Sequence, residues 1–105
     1  MTKATEKQLE YRRGLIEAKV AKLAGSFDNA TFIEAFLAVN LPEPADVQDA
    51  SAQIEALNVS MKSYARQNSE WFARFSESDL RAARDRVRAA KAESHEPEIM
   101  TALKV

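Results

Sequence analysis

The feature that most constrains the fold is a long apolar stripe in the middle of the chain. Its nine positions are spaced alternately by three and four residues: Val47, Ala50, Ile54, Leu57, Met61, Tyr64, Asn68, Trp71 and Phe75. This spacing places all nine on one side of an α-helix read in heptads. The sequence therefore predicts one uninterrupted helix over residues 45–75, which serves as the spine of the fold.

The length of this predicted helix limits how the molecule can be arranged. At 1.5 Å per residue it is about 46 Å long, whereas a compact domain of 105 residues has a diameter of about 34 Å. Three interpretations follow: an elongated molecule, a second copy packed against the helix end, or a kink near Asn68. Asn68 either fixes the register of packed helices or ends the helix, in which case Ser69 caps a new one.

The rest of the chain also predicts helices. Two glycines and three prolines are few for this length, which is typical of long helices with short connections. The predicted helices cover residues 5–24, 28–40, 45–75 and 77–92. Asp28 and Ser76 are the expected N-terminal caps of the second and fourth, and the tail 93–105 forms a short helix or frays. We predict a single all-α domain, an antiparallel bundle of three main helices and one short one.

The first predicted helix contains two unusual positions. Arg12 or Arg13 fills a gap in its apolar face. Gly14 lies in its interior, where glycine costs about 1 kcal/mol relative to alanine, so it either weakens the helix or allows another segment to approach closely. Gly25 is expected to end this helix as its C-terminal cap.

Aromatic residues are concentrated at the end of the apolar stripe. Residues 69–76 (SEWFARFS) contain the only tryptophan and two of the five phenylalanines. Phe72 lies about 100° round the helix from Trp71 and needs a different neighbour. The cluster is either core or partly an interface, where aromatic residues and arginine are enriched. We assign a partner or dimer interface to Tyr64, Asn68, Trp71, Phe72 and Phe75.

A row of basic residues runs along one face of the last predicted helix. Its members are Arg74, Arg81, Arg84, Arg88 and Lys91. Such a row can lie along nucleic-acid phosphates or contact an acidic partner. It also suits a solvated face, because Glu77 and Asp85 lie four residues from Arg81 and can pair with it.

The net charge of −1 is unevenly distributed along the chain. It is +3 over residues 1–24, −5 over 25–72, +3 over 73–91 and −2 over 92–105. Basic segments therefore flank an acidic middle. This pattern suits attraction between neighbouring helices or binding of nucleic acid by the basic segments.

No catalytic, metal or cofactor-binding motif is present in the sequence. The chain has no cysteine and one histidine, His95, whereas zinc sites require three or four ligands and a serine triad requires a fixed histidine. We therefore predict no enzyme activity, no cofactor and no metal. The residues up to Lys22 contain no continuous apolar run, which predicts neither a signal peptide nor a membrane span. The lack of cysteine fits a cytoplasmic location.

These patterns predict a small cytoplasmic protein that acts by contact with a protein partner, as a homodimer. A phage or mobile-element accessory protein that inhibits a host factor is the suggested biological setting. The alternative is a nucleic-acid-binding regulator that uses the basic helix at Arg81–Lys91.

Overall fold

The part of the chain that the structure describes, residues 2–93 and 96–105 of a computed structural model, contains seven α-helices and no strand. The helices are α1 (Glu6–Gly25), α2 (Asn29–Val39), α3 (Val47–Asn58), α4 (Met61–Gln67), α5 (Ser69–Phe72), α6 (Glu77–Ala92) and α7 (Glu96–Leu103). The predicted all-α class is confirmed. Helices α1, α2 and α6 lie within one residue of the ranges predicted from the sequence. His95 lies outside the described residues.

The uninterrupted helix predicted over residues 45–75 is wrong. The chain there forms α3, α4 and α5, which are separated at Val59–Ser60 and at Asn68. An asparagine precedes the first break and forms the second. The side-chain Nδ2 of each donates to the carbonyl oxygen four residues earlier, from Asn58 to Ile54 at 3.1 Å and from Asn68 to Tyr64 at 2.9 Å. Asparagine side chains that bond the backbone in this way compete with continuation of the helix.

A carboxylate from another helix holds the first break in place. Both oxygens of Glu34, on α2, accept the backbone N–H of Met61, at 3.1 and 3.2 Å. Lys19, on α1, pairs with the same carboxylate at 3.0 Å. A negative charge is favoured where the first N–H groups of a helix lack partners within that helix. Glu34 therefore adds to the N-terminal cap of α4, Ser60, whose Oγ accepts the N–H of Lys62, and it links this N-terminus to α2 and α1.

The aromatic residues of the stripe pack inside the protein despite the breaks. The ring of Phe36, at the centre of α2, meets that of Phe75 edge-on with centroids 5.2 Å apart. The Trp71 indole makes similar contacts with Tyr64 and Phe75, both at 5.5 Å. Full burial of one such side chain contributes about 1.5–3 kcal/mol. The core forms around α2, with Tyr64, Trp71 and Phe75 packed beside it.

The tail is attached to this core. Ile99 and Leu103 of α7 are buried. The Asn40 side chain holds the end of the chain: its Nδ2 donates to the carbonyl of Leu103 at 2.9 Å, and its Oδ1 accepts the N–H of Val105 at 3.1 Å. Of the two predictions for the tail, the short helix is the one observed over residues 96–103.

The molecule is elongated, with principal extents of 44 × 27 × 20 Å. This elongation arises from the packing of several helices and not from one long helix, because the longest of the described helices is α1, with 20 residues. Ser26, in an extended conformation, is the C-terminal cap of α1. The prediction that Gly25 caps this helix is therefore wrong by one residue.

We expect Gly14→Ala to raise the free energy of unfolding by about 1 kcal/mol, because alanine restricts the unfolded chain and favours the helix. A Cβ atom added at Gly14 has no neighbour within 4 Å. Urea denaturation followed by circular dichroism measures the change. A loss of stability would show that Gly14 serves a close approach that the single chain does not contain.

We expect Glu34→Ala to lower the free energy of unfolding by about 1–2 kcal/mol, because both the cap of α4 and the ion pair with Lys19 are lost. Lys19→Met removes the ion pair alone and should cost less. The two variants are compared by urea denaturation. Equal losses would mean that the ion pair, and not the cap, is the stabilising contact.

Candidate protein-contact surface

The five residues assigned to an interface from the sequence divide into buried and exposed. Tyr64 and Trp71 are only 4% and 8% exposed, and Asn68 and Phe75 are half-buried. Phe72 is 42% exposed. Adjacent residues of a helix point in directions about 100° apart. Trp71 and Phe72 therefore lie on different sides of α5, Trp71 facing the core and Phe72 the solvent.

Trp71 is held inside the protein by a directional contact. Its indole Nε1 donates to the backbone carbonyl of Asn40 at 3.0 Å, and its ring packs edge-on against two others. A buried indole needs such an acceptor for its N–H. Tyr64, Trp71 and Phe75 therefore pack within one chain. Phe72 is the aromatic residue of this cluster that is exposed at the surface.

Phe72 lines an apolar groove between α2 and the α4–α5 segment. The groove has a volume of about 660 Å³ and is lined by Ile33, Leu37, Lys62, Ala65, Arg66, Ser69 and Phe72. We refer to it as the Phe72 groove. Leu37 and Ala65 are buried, whereas Ile33 is partly buried against the core. Mostly apolar concave surfaces of this size are typical of binding sites.

The two charged side chains that border the Phe72 groove are both basic. Lys62 and Arg66 are exposed and lie four residues apart on α4. They are also the only two cationic residues in the acidic stretch 25–72. The one ion pair found within the described residues joins Lys19 to Glu34, so neither groove cation is neutralised by a carboxylate of the described chain.

The basic row on α6 lies largely over aromatic rings. The Arg84 guanidinium carbon is 5.6 Å from the centre of the Phe32 ring. The Arg88 guanidinium and the Lys91 ammonium lie 5.4 and 5.6 Å from the Phe27 ring centre. Cations at such distances are attracted to the face of a ring. Three of the five predicted contact residues therefore lie over rings at or just before the start of α2. Arg88 is nevertheless exposed, as are Arg74 and Arg81.

A buried polar network lies on the other side of α3. The Arg12 Nε donates to Gln53 Oε1 at 2.6 Å, and Gln53 Nε2 donates to the Tyr64 hydroxyl at 3.2 Å. That hydroxyl donates to Asp49 Oδ1 at 3.1 Å. Burial lowers the pKa of Arg12 and raises the pKa of Tyr64.

This network joins helices that are far apart in the chain, and its groups satisfy one another, which is the condition under which buried polar groups stabilise a fold. In the sequence, only the gap in the apolar face of α1 indicates this network. The gap alone does not show whether Arg12 or Arg13 fills it. Gln53 is fully buried, although it lies outside the apolar stripe and carries no signal of burial.

Among the side chains that are described, in residues 2–93 and 98–105, no three of the metal-binding types lie close enough together to hold an ion. Over the same residues, every helix is too short or too polar to cross a lipid bilayer. Searches against models of known protein families, against curated proteins and against solved structures find no match.

We expect Arg84→Ala to lower the free energy of unfolding by about 1 kcal/mol, because the contact with Phe32 and the packing of the alkyl stem are both lost. Arg81→Ala is the matched control: this arginine is exposed, and its loss should change stability by no more than about 0.5 kcal/mol. Urea denaturation compares the two. Equally small effects would show that the whole row is a solvated face.

Proposed function

We propose that this chain is a cytoplasmic protein without enzymatic activity that acts by binding another protein through the Phe72 groove. The observation that carries the proposal is the exposure of Phe72 beside buried Trp71. Large apolar side chains that stay exposed next to an apolar groove are typical of interaction sites. Four large apolar side chains are exposed among the described residues. Of these, Phe72 is the one that lines the groove together with Ile33 and Leu37.

The partner that we propose is a different protein and not a second copy of this chain. The sequence predicts a homodimer because an uninterrupted helix would extend beyond the globule. Since that helix is divided and Trp71 is packed inside, this reason for a homodimer no longer applies. Inhibition of a host factor by a phage or mobile-element protein stays our suggestion for the biological setting, and it rests on the sequence alone.

The alternative function, a nucleic-acid-binding regulator, has less support. It requires the row from Arg81 to Lys91 to be free to follow a phosphate backbone. Arg84, Arg88 and Lys91 instead lie over phenylalanine rings. The Nε of Arg84 is itself buried, so this nitrogen is not exposed to a phosphate.

We expect Phe72→Ser to reduce partner capture at least tenfold, because removal of a central aromatic anchor typically costs more than 1.4 kcal/mol of binding free energy. The free energy of unfolding should fall by about 1–2 kcal/mol, since the side chain is 42% exposed and loses only the part of its apolar area that is buried. The measurements are tagged pull-down from the native host read by mass spectrometry, and thermal melting.

Val59→Ser is the matched control for this variant. Val59 is 75% exposed and does not line the Phe72 groove, so its loss should leave capture unchanged. If Phe72→Ser retains the captured proteins, the groove is not the binding surface. If the variant unfolds, Phe72 belongs to the core and the proposal is withdrawn.

A further inference from the structure

We propose that the partner enters the Phe72 groove as an amphipathic α-helix with acidic residues along one edge. This inference rests on the proposed function and adds the chemistry of the partner. Three features of the described residues support it: the shape of the groove, the two cations beside it, and the lack of a suitable helix on a second copy of this chain.

The shape of the groove suits a helix. Ile33 and Leu37 lie one turn apart on α2, and Ala65 of α4 faces the same groove, which Phe72 also lines. The side chain of Ala65 is small and buried, so it does not project into the groove between α2 and α4. Helix α4 has seven residues and is therefore about 10 Å long, or two turns. A bound helix fills such a groove with apolar residues at positions i, i+3 or i+4, and i+7.

The charges beside the groove determine the chemistry of that helix. Lys62 and Arg66 lie four residues apart, which is a separation of about 6 Å along α4. Two carboxylates at the same spacing on a bound helix can reach both cations. Neither cation is paired with a carboxylate within the described chain, so both are open to an acidic partner. Complementary charges of this kind raise the association rate and select the partner.

A second copy of this chain does not supply such a helix. The apolar face of α6 is buried at Ala83 and Val87, and that of α7 is buried at Ile99 and Leu103. Among the residues that the structure describes, the exposed large apolar side chains other than Phe72 are Tyr11, Val59 and Val105. No two of them lie three, four or seven residues apart, so they form no apolar row that could fill the groove. The occupant is therefore a helix of a different protein.

The test uses two amidated helical peptides of about 14 residues, or four turns. Both carry leucine along one face; one carries glutamate along the edge of that face and the other lysine. Binding to the full chain is measured by peptide fluorescence anisotropy. We expect the acidic peptide to bind at least about tenfold more tightly than the basic one. Its affinity should fall as salt is added, because screening weakens exposed charge pairs.

Variants of the protein assign the effect to the groove. Lys62→Glu with Arg66→Glu should reverse the preference between the two peptides, and Lys62→Gln with Arg66→Gln should remove it. Lys7→Glu with Arg13→Glu is the matched control: it makes the same change in charge at two exposed positions on α1 and should retain the preference. Circular dichroism verifies that each variant is folded.

Several results would overturn the inference. These are no binding of the acidic peptide, equal affinity for both peptides, or an equal loss in the Lys7 and Arg13 control. Failure of this inference is distinguishable from failure of the proposed function. If Phe72→Ser abolishes capture of the native partner while the Lys62 and Arg66 reversal leaves capture unchanged, the groove is the binding surface but its partner is not an acidic helix.

Discussion

The carboxylate of Glu34 holds the bend between α3 and α4 in place. It accepts the first amide of α4 and pairs with Lys19, so three helices meet at one side chain. Without this contact the backbone N–H of Met61 would have no partner at a part-buried position. The contact holds α4 beside α2, and the Phe72 groove lies between α2 and the α4–α5 segment. The proposed binding surface therefore depends on a capping contact made outside it.

The sequence contains the local features of this fold but not the long-range ones. The caps Asp28 and Ser76 could be identified because their partners lie three residues away. The apolar stripe correctly marked Leu57, Met61 and Tyr64 as inward-facing, yet it could not reveal that the helix is interrupted. A heptad pattern survives a break when each new helix turns its apolar side toward the same core. Glu34 acts 27 residues from the amide it caps, and no local pattern indicates such a distance.

The same limit applies to the surface. The angle between Trp71 and Phe72 on a helix was sufficient to predict that they have different neighbours, and the structure places one inside and the other outside. The groove beside Phe72 could not be foreseen, because Ile33 and Leu37 reach it from another helix. The basic row on α6 had the spacing of a nucleic-acid contact. Its packing on Phe27 and Phe32 depends on residues more than fifty positions earlier, which spacing along α6 does not report.

Asn40 closes the core across long stretches of the chain. Its side chain holds the backbone at Leu103 and Val105, across 63 and 65 positions of the chain, while its own carbonyl holds the Trp71 indole. The surface that α7 covers is open to water until Ile99 and Leu103 are in place. Contacts of such long range slow folding, because the chain must first close long loops. The core of this protein is therefore complete only when segments that are distant in sequence have met.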